Sequence, residues 1–176
     1  MLAPYSDDMD NTGVFRISQA ELDPIIERAH RNHIQVALHA IGDAACKMAL
    51  DSIERATKAY DWPDHRHRIE HEQVITEYDM RRFAELGVIA SLQPVHAITD
   101  LAWVESRVGP ERLKTSYAWQ SFVKLGTHIC LGTDWPVETL DPRVGFYEAV
   151  TRQDLNGNPP GGQMPEEALT IEQVLK

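Results

Sequence analysis

The stretch "HIQVALHAIGDAACKMALDSIERATKAY", residues 33–60, decides the fold. Residues 33–40 form a short run of β-branched and apolar side chains, the length and chemistry of a buried strand, with His39 at its end. "IGD" (41–43) is a turn, and Asp43 is the expected cap of the next helix. In "AACKMALDSIERATKAY" (44–60), Met48, Ala49, Ser52, Ile53 and Ala56 share one helical stripe. A strand running into a helix of this length predicts a crossover to a parallel neighbour, because an antiparallel partner needs only a tight turn.

The alternation continues on both sides of this unit. Upstream, "SQAELDPIIERAHRN" (18–32) opens with Ser18 and Glu21 at capping-box spacing and sets Leu22, Ile25, Ile26 and Ala29 on one stripe of a helix. Downstream, residues 66–71 of "HRHRIEHEQ" predict a strand, although Arg68 and Glu70 are unusual for a buried one. Thr76 caps the helix "EYDMRRFAEL" (77–86), Gly87 ends it, and "VIASLQP" (88–94) is the next strand. Helical stretches around 100–107 and 117–125 lead through Gly126 to "HICLG" (128–132), the fourth strand. Beyond it, "DPRVGFYEAVTRQ" (141–153) reads as a helix, "NGNPPGGQMP" (156–165) as a flexible loop and "TIEQVLK" (170–176) as the start of another helix.

Composition narrows the function. The 176 residues are 43% hydrophobic and 25% charged, which suits one ordinary globular domain. A formal net charge of −10 repels phosphate backbones and anionic lipid, so nucleic-acid and membrane-surface partners are not expected. No apolar run approaches the roughly 18 residues of a membrane span, and "MLAPYSDDMDNTG" lacks the basic and apolar regions of a signal peptide. A cytoplasmic location is the expectation. Cys46 and Cys130 lack zinc-type spacing and are expected as buried free thiols.

Strands alternating with helices allow an open doubly wound sheet or a (β/α) barrel. No glycine-rich phosphate loop follows any strand, so nothing supports a nucleotide-binding sheet. What recurs is a polar residue at each strand end: His39, His71, Gln93 with His96, and Asp134. Those ends are where a barrel builds its active site. Singly, each has an ordinary reading: a strand-end histidine as a hydrogen-bonded or exposed side chain, Asp134 as the N-cap of the next element. Together, two imidazoles and a carboxylate from three strands suit zinc or a similar divalent ion.

"LHAIGD", "HRIEHEQ", "SLQPVHAITD" and "LGTDWPVE", in that order, resemble the metal-dependent amidohydrolase superfamily, specifically the amidohydrolase-3 family that includes N-substituted formamide deformylases. "RVGPERLKTSYAWQSFVKLG" and "AVTRQDLNGNPPGGQMPEEALTIEQVL" support the likeness, which spans nearly the whole chain. The resemblance implies an α/β fold, part of a (β/α)8 TIM barrel, with this chain supplying strands 5 to 8. It implies His39 as a metal ligand after strand 5, His71 as a ligand or hydroxide-contacting residue after strand 6, and Asp134 as the acid after strand 8. In such enzymes that acid touches the metal, accepts a proton from the water and passes it to the leaving amine. Gln93 and His96 would line the substrate pocket, His96 being otherwise a solvated loop residue. Arg152 either holds a substrate carboxylate or makes a surface salt bridge, and Trp135 either walls the pocket or packs beneath it. The implied activity is hydrolysis of a non-peptide C–N bond, amide or formamide, in a small-molecule substrate, using one or two divalent ions, expected to be zinc.

The likeness has gaps. The superfamily's His-x-His pair from the first strand and the lysine from the fourth have no counterpart here. A complete barrel takes about 250 residues and eight strands, against the four strands read here. The expectation is therefore the second half of a barrel, from a partial gene or a split protein, with residues 1–176 one partial domain and residues 1–17 the loop after the family's fourth strand. Such a half would tend to associate, including into a homo-oligomer. Two other classes stay open: a non-catalytic half barrel that pairs with another chain, and a metal-free α/β module whose histidines are structural.

Overall fold

In the computed structural model, which describes residues 1–176, each strand pairs in parallel with the next. β1 (Ala37–Ala40), β2 (Arg68–His71), β3 (Ile89–Leu92) and β4 (Ile129–Leu131) form one sheet in the order β1-β2-β3-β4. This is the expected α/β architecture, four consecutive βα units laid out as an arc of a (β/α)8 barrel. Because all pairs are parallel, all four carboxyl ends lie along one rim. Between and around the strands stand α1 (Gln19–Arg31), α2 (Asp43–Ala59), α3 (Glu77–Leu86), α4 (Pro94–Thr99), α5 (Val104–Leu113), α6 (Trp119–Lys124), α7 (Pro142–Thr151) and α8 (Ile171–Val174). No helix is long and apolar enough to cross a membrane.

The helix ends are set by local chemistry. Ser18 and Glu21 close a reciprocal capping box, and the Thr76 hydroxyl accepts from Asp79 N–H at 3.0 Å. Gly87 ends α3 with φ 67°, a conformation that costs glycine nothing. Asp43 is a correction: Gly42 takes the N-cap position, and Asp43 opens the first turn, accepting from Leu2 N–H and Ala44 N–H at 2.8 Å each. On α1, Leu22, Ile26 and His30 turn inward while Ile25 is exposed. The expected helix around 100–107 is a 3-10 turn at Asp100–Ala102 followed by α5, which kinks at Gly109. The loop 156–165 is pinned rather than loose: Asp154 Oδ1 accepts from Asn156 and Asn158 N–H, and Gln153 Nε2 donates to Gly157 and Pro159 carbonyls.

Register sorts the strand residues into two faces. Leu38, Ala40, Ile69, Ala90, Leu92, Ile129 and Leu131 fall on the helix side, joining or packing against a buried cluster of 26 residues that includes Leu50, Ile53, Phe83 and Phe122. Ala37, His39, Arg68, Glu70, Ile89, Ser91 and Cys130 fall on the other face, the inner wall of the arc. This explains the two charges inside β2: Arg68 Nε meets Glu70 Oε1 at 2.5 Å on that inner wall, where neither is forced into the apolar core. It also corrects one thiol. Cys46 is buried, but Cys130 is only partly so, because it lies on the inner wall.

Residues 1–17 form no regular element and run across α5 and the start of α2. Arg112 donates to the carbonyls of Ala3 and Pro4, and Arg107 pairs with Asp7 at 3.0 Å while lying 4.9 Å above the Tyr5 ring.

Candidate metal centre

The strand ends bring three ligand-bearing side chains together. His71, His96 and Asp134 each offer one ligand atom, and these atoms lie within 4.8 Å of one another. Each is delivered differently. His71 closes β2, and its pairing with Ala40 assigns it to the helix side. A backbone φ of 84° breaks the pleat there and leaves its ring edge-on to His39, with centroids 4.5 Å apart. Asp134 comes after β4 with φ 54°. Left-handed backbone at a non-glycine residue costs on the order of 1–2 kcal/mol, a cost concentrated in proteins at functional positions. His96 comes from the first turn of α4, where Pro94 starts the helix and Gln93 caps it. One turn separates Gln93 from His96, so both face the rim.

Both ring nitrogens of His96 meet carboxylates. Nε2 lies 2.9 Å from Asp134 Oδ2, and Nδ1 lies 3.4 Å from Glu138 Oε1. Glu138 is brought there by a turn in which Val137 N–H donates to Asp134 O at 2.8 Å. His71 is the exception among these groups: its Nδ1 is buried with no hydrogen-bond partner. Burial, and next the neighbouring His39 ring, hold the His71 imidazole below its ordinary pKa, so it is neutral at pH 7 and has the lone pair a metal needs. Two imidazoles and a carboxylate are the donors of a zinc site that keeps a fourth position for water, and a buried nitrogen without a partner is a group that an ion can satisfy. The residues present fit a divalent ion.

The structure also places the other residues singled out from the sequence. His39 stands exposed on the inner wall beside His71, outside the set of three. Gln93 is buried at the end of β3, donating to Glu70 at 3.3 Å with its Oε1 unpartnered. Trp135 is exposed, which rules out packing beneath Asp134. Arg152 is a correction to both of its readings. It is 0% exposed, its guanidinium 4.0 Å over the Trp119 ring, donating to the carbonyls of Gln163 and Tyr117. It packs the interior, and neither a surface ion pair nor a substrate contact is open to it.

From sequence, His96 reads as a pocket residue and Glu138 does not stand out. The signal for His96 was present in Gln93-Pro-Val-His96, since proline at the first helical position fixes the phase that aims His96 back at the rim. The triplet His65-Arg66-His67 has the spacing of a metal pair but stands before β2, at the opposite rim. There the bonds fix every proton. His67 Nδ1 accepts from Val36 N–H at 3.1 Å, so its Nε2 donates to His30 Nδ1 at 3.0 Å, and His30 Nε2 donates to Tyr60 O at 3.0 Å. His65 Nδ1 accepts from His67 N–H and its Nε2 donates to Leu86 O, both at 2.9 Å. All three rings are buried, with both nitrogens of each engaged.

A parallel barrel arc that gathers imidazoles and a carboxylate at its carboxyl rim is the framework of metal-dependent hydrolases. Residues 1–176 match the model of the Amidohydrolase family, and the chain belongs to that family. It is 32% identical over 173 residues to YtcJ of Bacillus subtilis, which carries an amidohydrolase name, covering 98% of this chain and 32% of that protein. It is 27% identical over 164 residues to an N-substituted formamide deformylase of Arthrobacter pascens, covering 90% of this chain and 29% of that protein. A crystal structure of an uncharacterized metal-dependent hydrolase from Pyrococcus horikoshii superposes with a TM-score of 0.84 at 34% identity, over 97% of this chain and 33% of that one. The chain thus spans about a third of the length of the relatives it matches.

Proposed function

We propose that the chain forms part of the active site of a hydrolase that uses a divalent ion, zinc, to cleave a non-peptide C–N bond of the amide or formamide type. The observation that carries this is the convergence of His71, His96 and Asp134 at one rim, with the buried His71 Nδ1 left unpartnered. Family membership supports the metal and the hydrolysis. The deformylase relative supports the substrate class. Two unpaired thiols support a reducing, cytoplasmic setting.

An ion held by His71, His96 and Asp134 would supply Lewis acidity, lowering the pKa of a water molecule and polarising the scissile carbonyl. The chain's own groups do the rest. Asp134 Oδ2 is placed to accept a proton from the attacking water and return it to the departing nitrogen. As a ligand, His96 would turn its Nε2 from the Asp134 carboxylate to the ion, while Glu138 beside Nδ1 would orient the ring. His71, held neutral by burial, offers its free nitrogen rather than a competing charge.

Zinc titration of the purified chain, followed by calorimetry and by metal analysis after dialysis, tests the reading. One zinc per chain is expected, with affinity at least tenfold lower in His71→Asn. Absence of binding, or binding indifferent to that substitution, would overturn it. With three ligands on this chain, amide turnover by residues 1–176 alone is expected to stay at the buffer rate; a rate well above it would show that three suffice.

A further inference from the structure

The three ligand-bearing side chains stand on separate segments: His71 at the end of β2, His96 within α4 and Asp134 after β4. Parallel pairing holds the strands together, but it does not reach α4, a helix of 6 residues that carries His96 beyond the end of β3. We propose that the C-terminal end of α4 positions this centre: Asp100, gripped by Gln73 and Tyr117, locks His96 in place relative to His71. The assignment rests on the metal-hydrolase reading of the rim.

Asp100 is tied to His96 through the backbone, because its N–H donates to the His96 carbonyl. Its Oδ2 accepts from Gln73 Nε2 at 2.8 Å and from Tyr117 Oη at 2.5 Å. Gln73 follows His71 closely in the chain and is held by side chain and main chain alike. Its Nε2 also donates to Tyr117 Oη at 3.0 Å, its carbonyl accepts from Tyr117 N–H at 3.0 Å, and Val74 beside it bridges to Ser116. These bonds close a ring between the segment that carries His71 and the helix that carries His96. No other hydrogen bond joins residues 71–75 to residues 94–102.

Gln73, Asp100 and Tyr117 are all buried. A carboxylate taken from water and given two neutral donors is a costly way to fill an interior, and an apolar side chain would fill it more cheaply. What an apolar side chain cannot supply is direction. Two converging hydrogen bonds fix where Asp100, and with it the last turn of α4, comes to rest. Tyr117 holds left-handed backbone at φ 50°, a strain that persists only where the surroundings enforce it.

The same end of α4 serves the third ligand. Thr99 Oγ1 donates to Glu138 Oε1 at 3.1 Å, and that carboxylate lies 3.4 Å from His96 Nδ1, in the turn that begins at Asp134. Two adjacent residues, Thr99 and Asp100, thus reach the segments of Asp134 and of His71, with His96 on the turn before them.

The test uses the 176-residue chain. Calorimetry measures zinc affinity, and the ring-nitrogen NMR signals of His71 and His96, recorded without zinc, report how the two rings are held. Asp100→Ala is expected to weaken zinc binding by about tenfold or more. It should also move both ring signals, while those of His30 and His67 at the opposite rim stay. Asp100→Asn, which keeps an oxygen for both donors, is expected to restore affinity and ring signals alike. Tyr117→Phe leaves Gln73 as the one side-chain donor and is expected to fall between; if Asp100→Ala does not fold, this variant decides by the same signals. Arg82→Met is the control for lost stability: it breaks the ion pairs between α2 and α3 and is expected to leave zinc and both rings unchanged. Parent-like affinity and signals in Asp100→Ala would overturn the positioning role, as would an equal loss in Arg82→Met or no recovery in Asp100→Asn. If the parent chain takes up no zinc, the metal reading falls, and the ring signals alone decide whether Asp100 holds the two histidines: moved in alanine and restored in asparagine, it does; unmoved, it does not.

Discussion

His71 and Asp134 both hold backbone angles that side chains ordinarily avoid, φ 84° and 54°. This gives a clean way to separate charge from backbone. Asparagine tolerates the left-handed region several-fold better than most residues, so Asp134→Asn keeps the turn and removes only the carboxylate. The variant is expected to lose zinc affinity at least tenfold while its unfolding free energy moves by less than about 1 kcal/mol. A large loss of stability instead would mean that Asp134 acts as a cap. Arg152 invites the opposite result. Its removal leaves zinc binding unchanged and costs about 2–3 kcal/mol, from the carbonyl hydrogen bonds and the stacked Trp119 ring it gives up. Denaturant titration of Arg152→Ala beside zinc calorimetry checks both halves. The two residues also mark what a sequence discloses at this scale. A polar side chain at a strand end is visible from pattern alone, because the alternation places it. Whether an arginine in "TRQD" lies outside or over a buried indole depends on where Trp119, from another helix, comes to rest.

Among the elements, α2 and α3 are joined by one side chain. Arg82, nearly buried, reaches Asp79 on its own helix at 2.8 Å and Asp51 and Glu54 on α2 at 2.8 and 2.7 Å. Asp51 and Glu54 keep contact with water, but Asp79 is 2% exposed and would be stranded without its cation. Arg82→Met is expected to cost about 3 kcal/mol, mostly recovered in the double variant with Asp79→Asn, as read by denaturant unfolding. An equal cost in the single and double variants would place the loss in packing. Element boundaries show the same division between local and distant causes. Caps at Ser18, Thr76 and Gly87 were legible because their chemistry is local. The strands are shorter than their apolar runs, 37–40 within 33–40 and 89–92 within 88–94, because pairing ends where the neighbouring strand ends. Parallel order was legible from the connecting helices. The inner-wall role of Arg68 and Glu70 was not, since it depends on register.

At the scale of the whole molecule, two sets of buried groups respond to acid in opposite directions. Burial lowers His67 from 6.5 to about 3 and also lowers His65, on which exposed Asp64 acts weakly the other way. The unfolded chain therefore binds protons between these values that the folded chain refuses, and the contribution of His65 and His67 is full above 6.5 and is lost as pH falls toward 3. Glu148 is the reverse: burial first, then Glu138 and Asp154, raises it to about 7, so it opposes folding increasingly as pH rises from 4.5 through 7. Glu72, buried without a partner, acts in the same sense. Difference profiles resolve the two. The stability gap between the parent chain and His67→Asn is expected to narrow by about 2 kcal/mol between pH 7.5 and 5. Glu148→Gln is expected to gain on the parent over that range as pH rises. Urea midpoints at the two pH values measure both, and a gap that widens in acid would contradict the first.

The placement of the core has a kinetic consequence. The 26 residues of the apolar cluster belong to the helix side of the sheet, to the helices or to the segments joining them, and the inner wall contributes none. A βα layer of this kind can bury its hydrophobic surface as soon as each helix folds back on its own strand, before any ring has closed. The contacts that form first are short in sequence separation, which favours rapid assembly.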